Sequence, residues 1–214
     1  MPSSKLAAAA GDFRGWTEAF QRFFIGLELD NSKRYFEAHR KTYENEVRGP
    51  MVALLTSLEP EFGPAKLSRP NRDIRFSKDK SPYKLNIYGH NGHGYVSLGA
   101  KGLVAAAGPY QLEPDQVARY RKAVAADPTG KQLQEIVGTL ESKGYEVGGE
   151  DLKRVPSPHP QDHPRARLLR HKRLFFWRDF GLEPWLGSRE AADQVAETWR
   201  AGRPLGAWFA KNVG

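Results

Sequence analysis

Gly94-Tyr95-Val96-Ser97-Leu98-Gly99-Ala100-Lys101-Gly102-Leu103-Val104-Ala105-Ala106-Ala107 reads as two strands, Gly94 to Leu98 and Gly102 to Ala107, separated only by Gly99-Ala100-Lys101. A connection that short joins antiparallel neighbours, because a parallel return needs a crossover of a dozen or more residues. A third strand, Leu85 to Tyr88, lies just upstream. Strands adjacent in the chain and joined by tight turns, with helical segments on either side of them, indicate an α+β fold.

Working outward, Trp16, Phe20, Phe23, Phe24 and Leu27 recur at helical spacing, and Gly26 with Asp30-Asn31 ends that helix. Asn31 or Ser32 caps a second helix, whose apolar face is Tyr35 or Phe36, His39, Tyr43 and Val47. Gly49-Pro50 breaks it, and Pro50 starts a third helix with Val52, Leu55 and Leu58. Downstream, Pro114 to Ala125 and Gln132 to Lys143 are helices, the second striped by Leu133, Ile136, Val137 and Leu140, and a weak strand follows at Tyr145 to Val147. Prolines 156, 158, 160 and 164 predict an extended connector, Arg165 to His171 a helical turn, and Leu174 to Phe180 a strand. Arg189 to Arg200 and Pro204 to Asn212 close the chain as helices with Trp199, Leu205, Trp208 and Phe209 inward. The expected architecture is a single α+β domain over residues 13–214, a mostly antiparallel sheet packed with N- and C-terminal helices, after a flexible lead-in at 1–12.

Composition narrows the function classes. With no cysteine among 214 residues, thiol nucleophiles, zinc ribbons and iron-sulfur ligation are excluded. The apolar run Leu6 to Ala10 falls far short of the 18 to 20 residues, approximately, of a membrane span, which predicts a cytoplasmic protein with no membrane partner. The net charge of +8 is not spread evenly. Residues 66–84 hold seven cations against two carboxylates, and residues 165–178 hold six cations against none, so the remainder is net acidic.

The richest chemistry lies in Arg72-Asp73-Ile74-Arg75-Phe76-Ser77-Lys78-Asp79-Lys80-Ser81-Pro82-Tyr83-Lys84. If extended, it would put Asp73, Arg75, Ser77 and Asp79 on one face, with Arg72, Ile74, Phe76, Lys78 and Lys80 on the other and Ile74 and Phe76 anchored in the core. Arg75 and Ser77 are then the ligand donors, a guanidinium being suited to fork onto phosphate or carboxylate. Asp73 and Asp79 orient the cations. The competing reading is an internal ion-pair network that ties down a long loop.

This run resembles the Arg-Asp-x-Arg-Phe-Ser-x-Asp-Lys-x-Pro-Tyr-Lys signature of the domain of unknown function 2461 family of bacteria and fungi. Asp30-Asn31 with Tyr35-Phe36 is similar to that family's Asn-Asn and Trp-Phe pair, departing at Asp30 and Tyr35. Gly94 to Tyr110, Leu152-Lys153-Arg154-Val155-Pro156 and Asp162-His163-Pro164 resemble its later blocks, so the likeness spans about 200 residues. The resemblance implies no reaction. It groups Arg72, Asp73, Arg75, Ser77, Asp79, Lys80, Tyr83 and Lys84 with Lys153, Arg154, Asp162 and His163, and the expectation drawn from that grouping is one cationic pocket.

Other readings carry less. Ser77 and Lys80 have the Ser-x-x-Lys spacing of penicillin-binding enzymes, but no Ser-Asp-Asn or Lys-Thr-Gly partner accompanies them. His90 with His93, and His159 with His163, have metal-like spacing, but Pro160 and Pro164 forbid a regular helix at the second pair, and no metal is assigned. The cations of Arg165 to Arg173, followed by Leu174-Phe175-Phe176-Trp177-Arg178, suit single-stranded nucleic acid, against the reading that Leu168, Leu169, Phe175 and Trp177 are buried faces with solvated neighbours. Ala105-Ala106-Ala107-Gly108 permits close helix packing or leaves room for a ligand. The function expected is binding of an anionic small molecule, a phosphate or carboxylate, by Arg72, Arg75, Ser77, Lys80, Lys84, Lys153 and Arg154. Asp73, Asp79, Tyr83 and His163 are the catalytic candidates if there is a reaction, and no cofactor is identified. The alternative is a non-catalytic interaction protein whose basic surface binds nucleic acid or an acidic partner.

Overall fold

Helices form where the apolar spacing puts them. The computed structural model describes residues 12–149 and 152–214, so the lead-in expected at 1–12 lies, apart from Asp12, outside the described residues. Helix α1 (Ala19–Leu29) buries Phe20, Phe23, Phe24 and Leu27. The Ser32 hydroxyl accepts the Tyr35 amide at 3.1 Å and starts α2 (Lys33–Ala38). A turn at Arg40–Thr42 and a π-helical stretch, Tyr43–Arg48, then run directly into α3 (Gly49–Phe62). The break expected at Gly49-Pro50 is therefore absent: Pro50 sits in the first turn of α3, where a missing amide proton costs least. Gly63, at φ 74°, turns the chain out of α3 in a conformation that favours glycine.

There follow β1 (Lys66–Leu67), β2 (Asn86–His90), β3 (Tyr95–Gly99), β4 (Gly102–Ala107), α4 (Pro114–Ala125), α5 (Asp127–Ser142), β5 (Glu146–Gly148), α6 (Ala166–Leu169), β6 (Phe175–Gly181), a 3-10 turn (Pro184–Gly187), α7 (Glu190–Ala201) and α8 (Arg203–Asn212). The strands are ordered β1-β2-β3-β4-β6-β5, and the β1/β2, β2/β3 and β5/β6 pairs are antiparallel. The fold class is α+β. Helix α5 begins five residues ahead of the predicted Gln132, because Asp127 and Pro128 are both favoured in a first turn. None of the described helices is long and apolar enough to cross a membrane.

The predicted extended connector is instead folded into successive turns, with His159 N–H donating to Pro156 C=O, His163 N–H to Pro160 C=O and Ala166 N–H to His163 C=O. Proline's fixed φ fits a turn as readily as an extended chain. Strand β6 corrects a second expectation. Leu174 and Phe176 are buried, whereas Phe175 and Trp177 are half-exposed. Phe176 is opposite Val147 on β5 and packs edge-on against Tyr145, which turns the alternate side chains outward.

The chain divides into two compact units, Met1–Ala105 with Asp179–Glu197, and Ala106–Arg178 with Thr198–Gly214. In the first, Phe23 and Phe36 meet edge-on, and Phe36 contacts Tyr43, beside the fully buried Val47, Met51 and Leu54. In the second, Tyr120 stacks on Phe209, and its hydroxyl donates to Leu168 C=O at 2.9 Å. Leu133, Val137 and Leu140 of α5 join that core, as the stripe predicted. A Cβ at Gly202 would stand 2.8 Å from Ala107 Cβ, so Ala107 serves close helix packing.

Candidate functional site

The first unit carries the charge-dense segment as a loop closed at its base. Leu67 on β1 pairs with Gly89, Ser68 N–H donates to Tyr88 C=O, and an isolated antiparallel bridge joins Asn71 to Tyr83. The Arg72 amide donates to Pro82 C=O and the Lys84 amide to Pro70 C=O, both at 2.9 Å. Lys84 Nζ lies across this closure, donating to the carbonyls of Arg69 and Asn71. Prolines at 70 and 82 contribute no amide, so no ladder continues beyond the bridge.

Asparagine 31, at the entry to α2, clasps the base. Its Nδ2 donates to Tyr83 C=O at 3.1 Å and its Oδ1 accepts Tyr83 N–H at 3.0 Å. The Tyr83 ring, only 6% exposed, stacks on Phe36. Arg40, whose guanidinium lies 5.4 Å from the Phe36 ring centroid, is bonded to Glu37.

Beyond the base the chain is irregular and exposed, and the predicted alternation does not occur. Phe76, expected as a core anchor, is 95% exposed at the tip, and the anchors are Tyr83 and the half-buried Ile74. Arg72, expected on the face opposite Asp79, forms an ion pair with it. The cause is turn chemistry, since both aspartates curl the backbone by accepting the amide two residues ahead. Asp73 takes the Arg75 amide at 3.3 Å and, by both oxygens, its guanidinium at 2.9 and 2.7 Å. Asp79 takes the Ser81 amide at 2.9 Å and hydroxyl at 2.6 Å. Lys80 Nζ donates to Ile74 C=O at 3.0 Å, and Ser77 N–H donates to the same carbonyl. The Ser-x-x-Lys helical turn does not form. The ion-pair network weighed against a ligand site is thus present.

These bonds set the protonation. Arg75 holds the Asp73 carboxyl below its ordinary value, and Asp73 raises Arg75 in turn. Asp79 is pushed well down by the Ser81 hydroxyl and then by Arg72. Burial, followed by the charge of Arg69, lowers Lys84. Both carboxylates stay ionised near neutrality.

Lys153, Arg154, Asp162 and His163 belong to the second unit. Lys153 and Arg154 are exposed, next to Leu152, whose amide donates to Arg170 C=O at 2.9 Å. Gln161 clasps Val155 through its amide and carbonyl. Asp162 is exposed, and half-buried His163 accepts the Arg165 amide on Nδ1 at 3.0 Å, so neutral His163 carries its proton on Nε2. His159 and His163 rings lie 6.2 Å apart, and no group of three or more metal-ligating side chains occurs among the described residues.

Sequence reasoning missed Asn31, Phe36 and Arg69 as parts of the loop's setting. Only the early Asn and aromatic pair signalled the first two, and without indicating what they touch.

A family model described as "Conserved hypothetical protein (DUF2461)" matches residues 19–208. Neither a curated protein nor a solved structure matches the chain.

Proposed function

The chain belongs to the DUF2461 family of conserved hypothetical proteins, and from that premise we propose that it binds a small phosphate- or carboxylate-bearing molecule in the cytoplasm through the loop between Arg69 and Lys84. The observation that carries this reading is how the loop's charges are disposed. Asp73 and Asp79 are each engaged by an arginine, while Arg69, Lys78, Lys80 and Lys84 have no carboxylate partner among the described residues. Arg69 lies close enough to Lys84 to oppose its protonation, and an anion placed there would relieve that repulsion. Arg75, held by Asp73 through Nε and Nη2, keeps Nη1 for a ligand oxygen. Arg72, Ser77 and Lys80 complete the donor set. Should the ligand react, Tyr83 is the acid-base candidate of the loop and His163 that of the second unit.

Thermal-shift measurements with inorganic phosphate, a nucleoside monophosphate and a dicarboxylate test the reading. A concentration-dependent rise in Tm that Arg75→Ala abolishes supports it, because a ligand that binds only the folded state stabilises by mass action. No rise with any of the three, or an equal rise in Arg75→Ala, overturns it. Lys153→Ala/Arg154→Ala in the same assay tests the cations of the second unit.

A further inference from the structure

In the second unit, β6 and its surroundings carry aromatic rings that the core does not take. Phe176 turns inward, and Phe175 and Trp177 stand on the other face with centroids 5.4 Å apart. Tyr110, 61% exposed, continues the row 5.3 Å from Phe175. On the paired strand β5, the residue opposite Phe175 is Gly148, and a Cβ there would stand 3.4 Å from the Trp177 ring. The glycine leaves the row low on that side.

Cations border this row. The Arg173 guanidinium lies 4.6 Å from the Tyr110 ring centroid. The Nε atoms of Arg170 and Arg173 are buried without a hydrogen-bond partner among the described residues, so any phosphate contact falls to the terminal nitrogens of these guanidinium groups. Of the cations in 165–178, Arg165 and Arg167 are engaged by Asp127 and Glu141, whereas Arg170 and Arg173 have no carboxylate partner among the described residues. Glu146, opposite Trp177, is the carboxylate in register with the row.

We propose that the Tyr110-Phe175-Trp177 row, with Arg173 and Arg170 beside it, is a platform for single-stranded nucleic acid. Bases stack on the rings, and phosphates meet the guanidinium groups. Half-exposed rings next to arginines complement both halves of a nucleotide, whereas a duplex keeps its base faces stacked on one another and out of reach. This platform is argued independently of the Arg69–Lys84 loop and stands or falls without it.

Fluorescence anisotropy of a labelled oligothymidylate, at low and at physiological salt, is the test, with the matching duplex measured beside it. Saturable single-strand binding is expected, with Tyr110→Ala and Trp177→Ala each weakening it about tenfold. Arg173→Ala should reduce the slope of log affinity against log salt by about 0.7, one phosphate contact's share. Glu146→Gln should tighten binding. Since Trp177 is half-buried, its variant counts only with an unchanged Tm, and Tyr110→Ala, at an exposed ring, decides in any case. Absence of binding at low salt, duplex bound as tightly as single strand, or full affinity in Tyr110→Ala overturns the proposal.

Discussion

The ring of Tyr83 lies flat on that of Phe36, with 4.2 Å between centroids and 5° between planes. The stack joins the base of the basic loop to α2, and Asn31 secures the same tyrosine by its backbone. Asn31→Ala removes both bonds and leaves a partly buried amide and carbonyl without partners. A loss of about 1–3 kcal/mol in urea unfolding is expected. Limited proteolysis between residues 72 and 82 should accelerate with it; unchanged stability and resistance would mean that the clasp does not hold the loop.

The pH response of the loop follows from Asp79. Its folded-state pKa lies below the ordinary carboxyl value of 3.8. Its contribution to stability is therefore complete above that value and is lost as the pH falls toward the folded pKa. Carboxyl NMR titration should give a midpoint well under 3.8. Ser81→Ala and Arg72→Ala should each raise that midpoint, since the serine hydroxyl first and the Arg72 guanidinium next hold it down. A midpoint near the ordinary value in the wild-type protein would contradict the geometry.

Arg165 belongs to the second basic segment by sequence and to the interior by structure. It is 4% exposed and donates to Val124 C=O at 2.6 Å, Ala125 C=O at 2.8 Å and Asp127 Oδ1 at 2.8 Å. Arg165→Ala takes a donor from the Val124 and Ala125 carbonyls and opens a void, so a loss of about 2–5 kcal/mol is expected in chemical denaturation. Asp127→Asn keeps both carbonyl bonds and should cost far less. Equal losses in the two variants would assign the effect to the ion pair alone.

The alanine run at 105–107 has a separate test. Gly202 approaches Ala107 too closely for either to grow. Ala107→Leu should lower stability by about 1–3 kcal/mol through overpacking, read as a fall in Tm. A stable Ala107→Leu would show that space had been left there.

Much of the architecture was legible in the sequence because its signals act between near neighbours. The hairpin at Gly99-Ala100-Lys101, the start of α4 at Pro114 and the Ser32 cap each depend on residues within a few positions of one another. The loop at 69–84 was legible as a concentration of charge, and the pairing of its carboxylates with its arginines was one of the two readings its composition allowed. Its shape was not legible. Period-two reasoning assumed an extended chain, but two aspartates bonding amides two residues ahead curled it and sent Phe76 into solvent.

Strand β6 makes the division clear. Its aromatic density marked a strand, but Leu174-Phe175-Phe176-Trp177 is apolar at both odd and even positions, so alternation alone could not say which set would be buried. Pairing of Phe176 with Val147, and the packing of Tyr145 against it, chose the even set and left Phe175 and Trp177 outside. The clasp of Asn31 on Tyr83, across 52 positions, is of the same kind. Local chemistry wrote the elements and the charge into the chain; which rings face water, and which asparagine holds which tyrosine, depends on partners that only folding brings together.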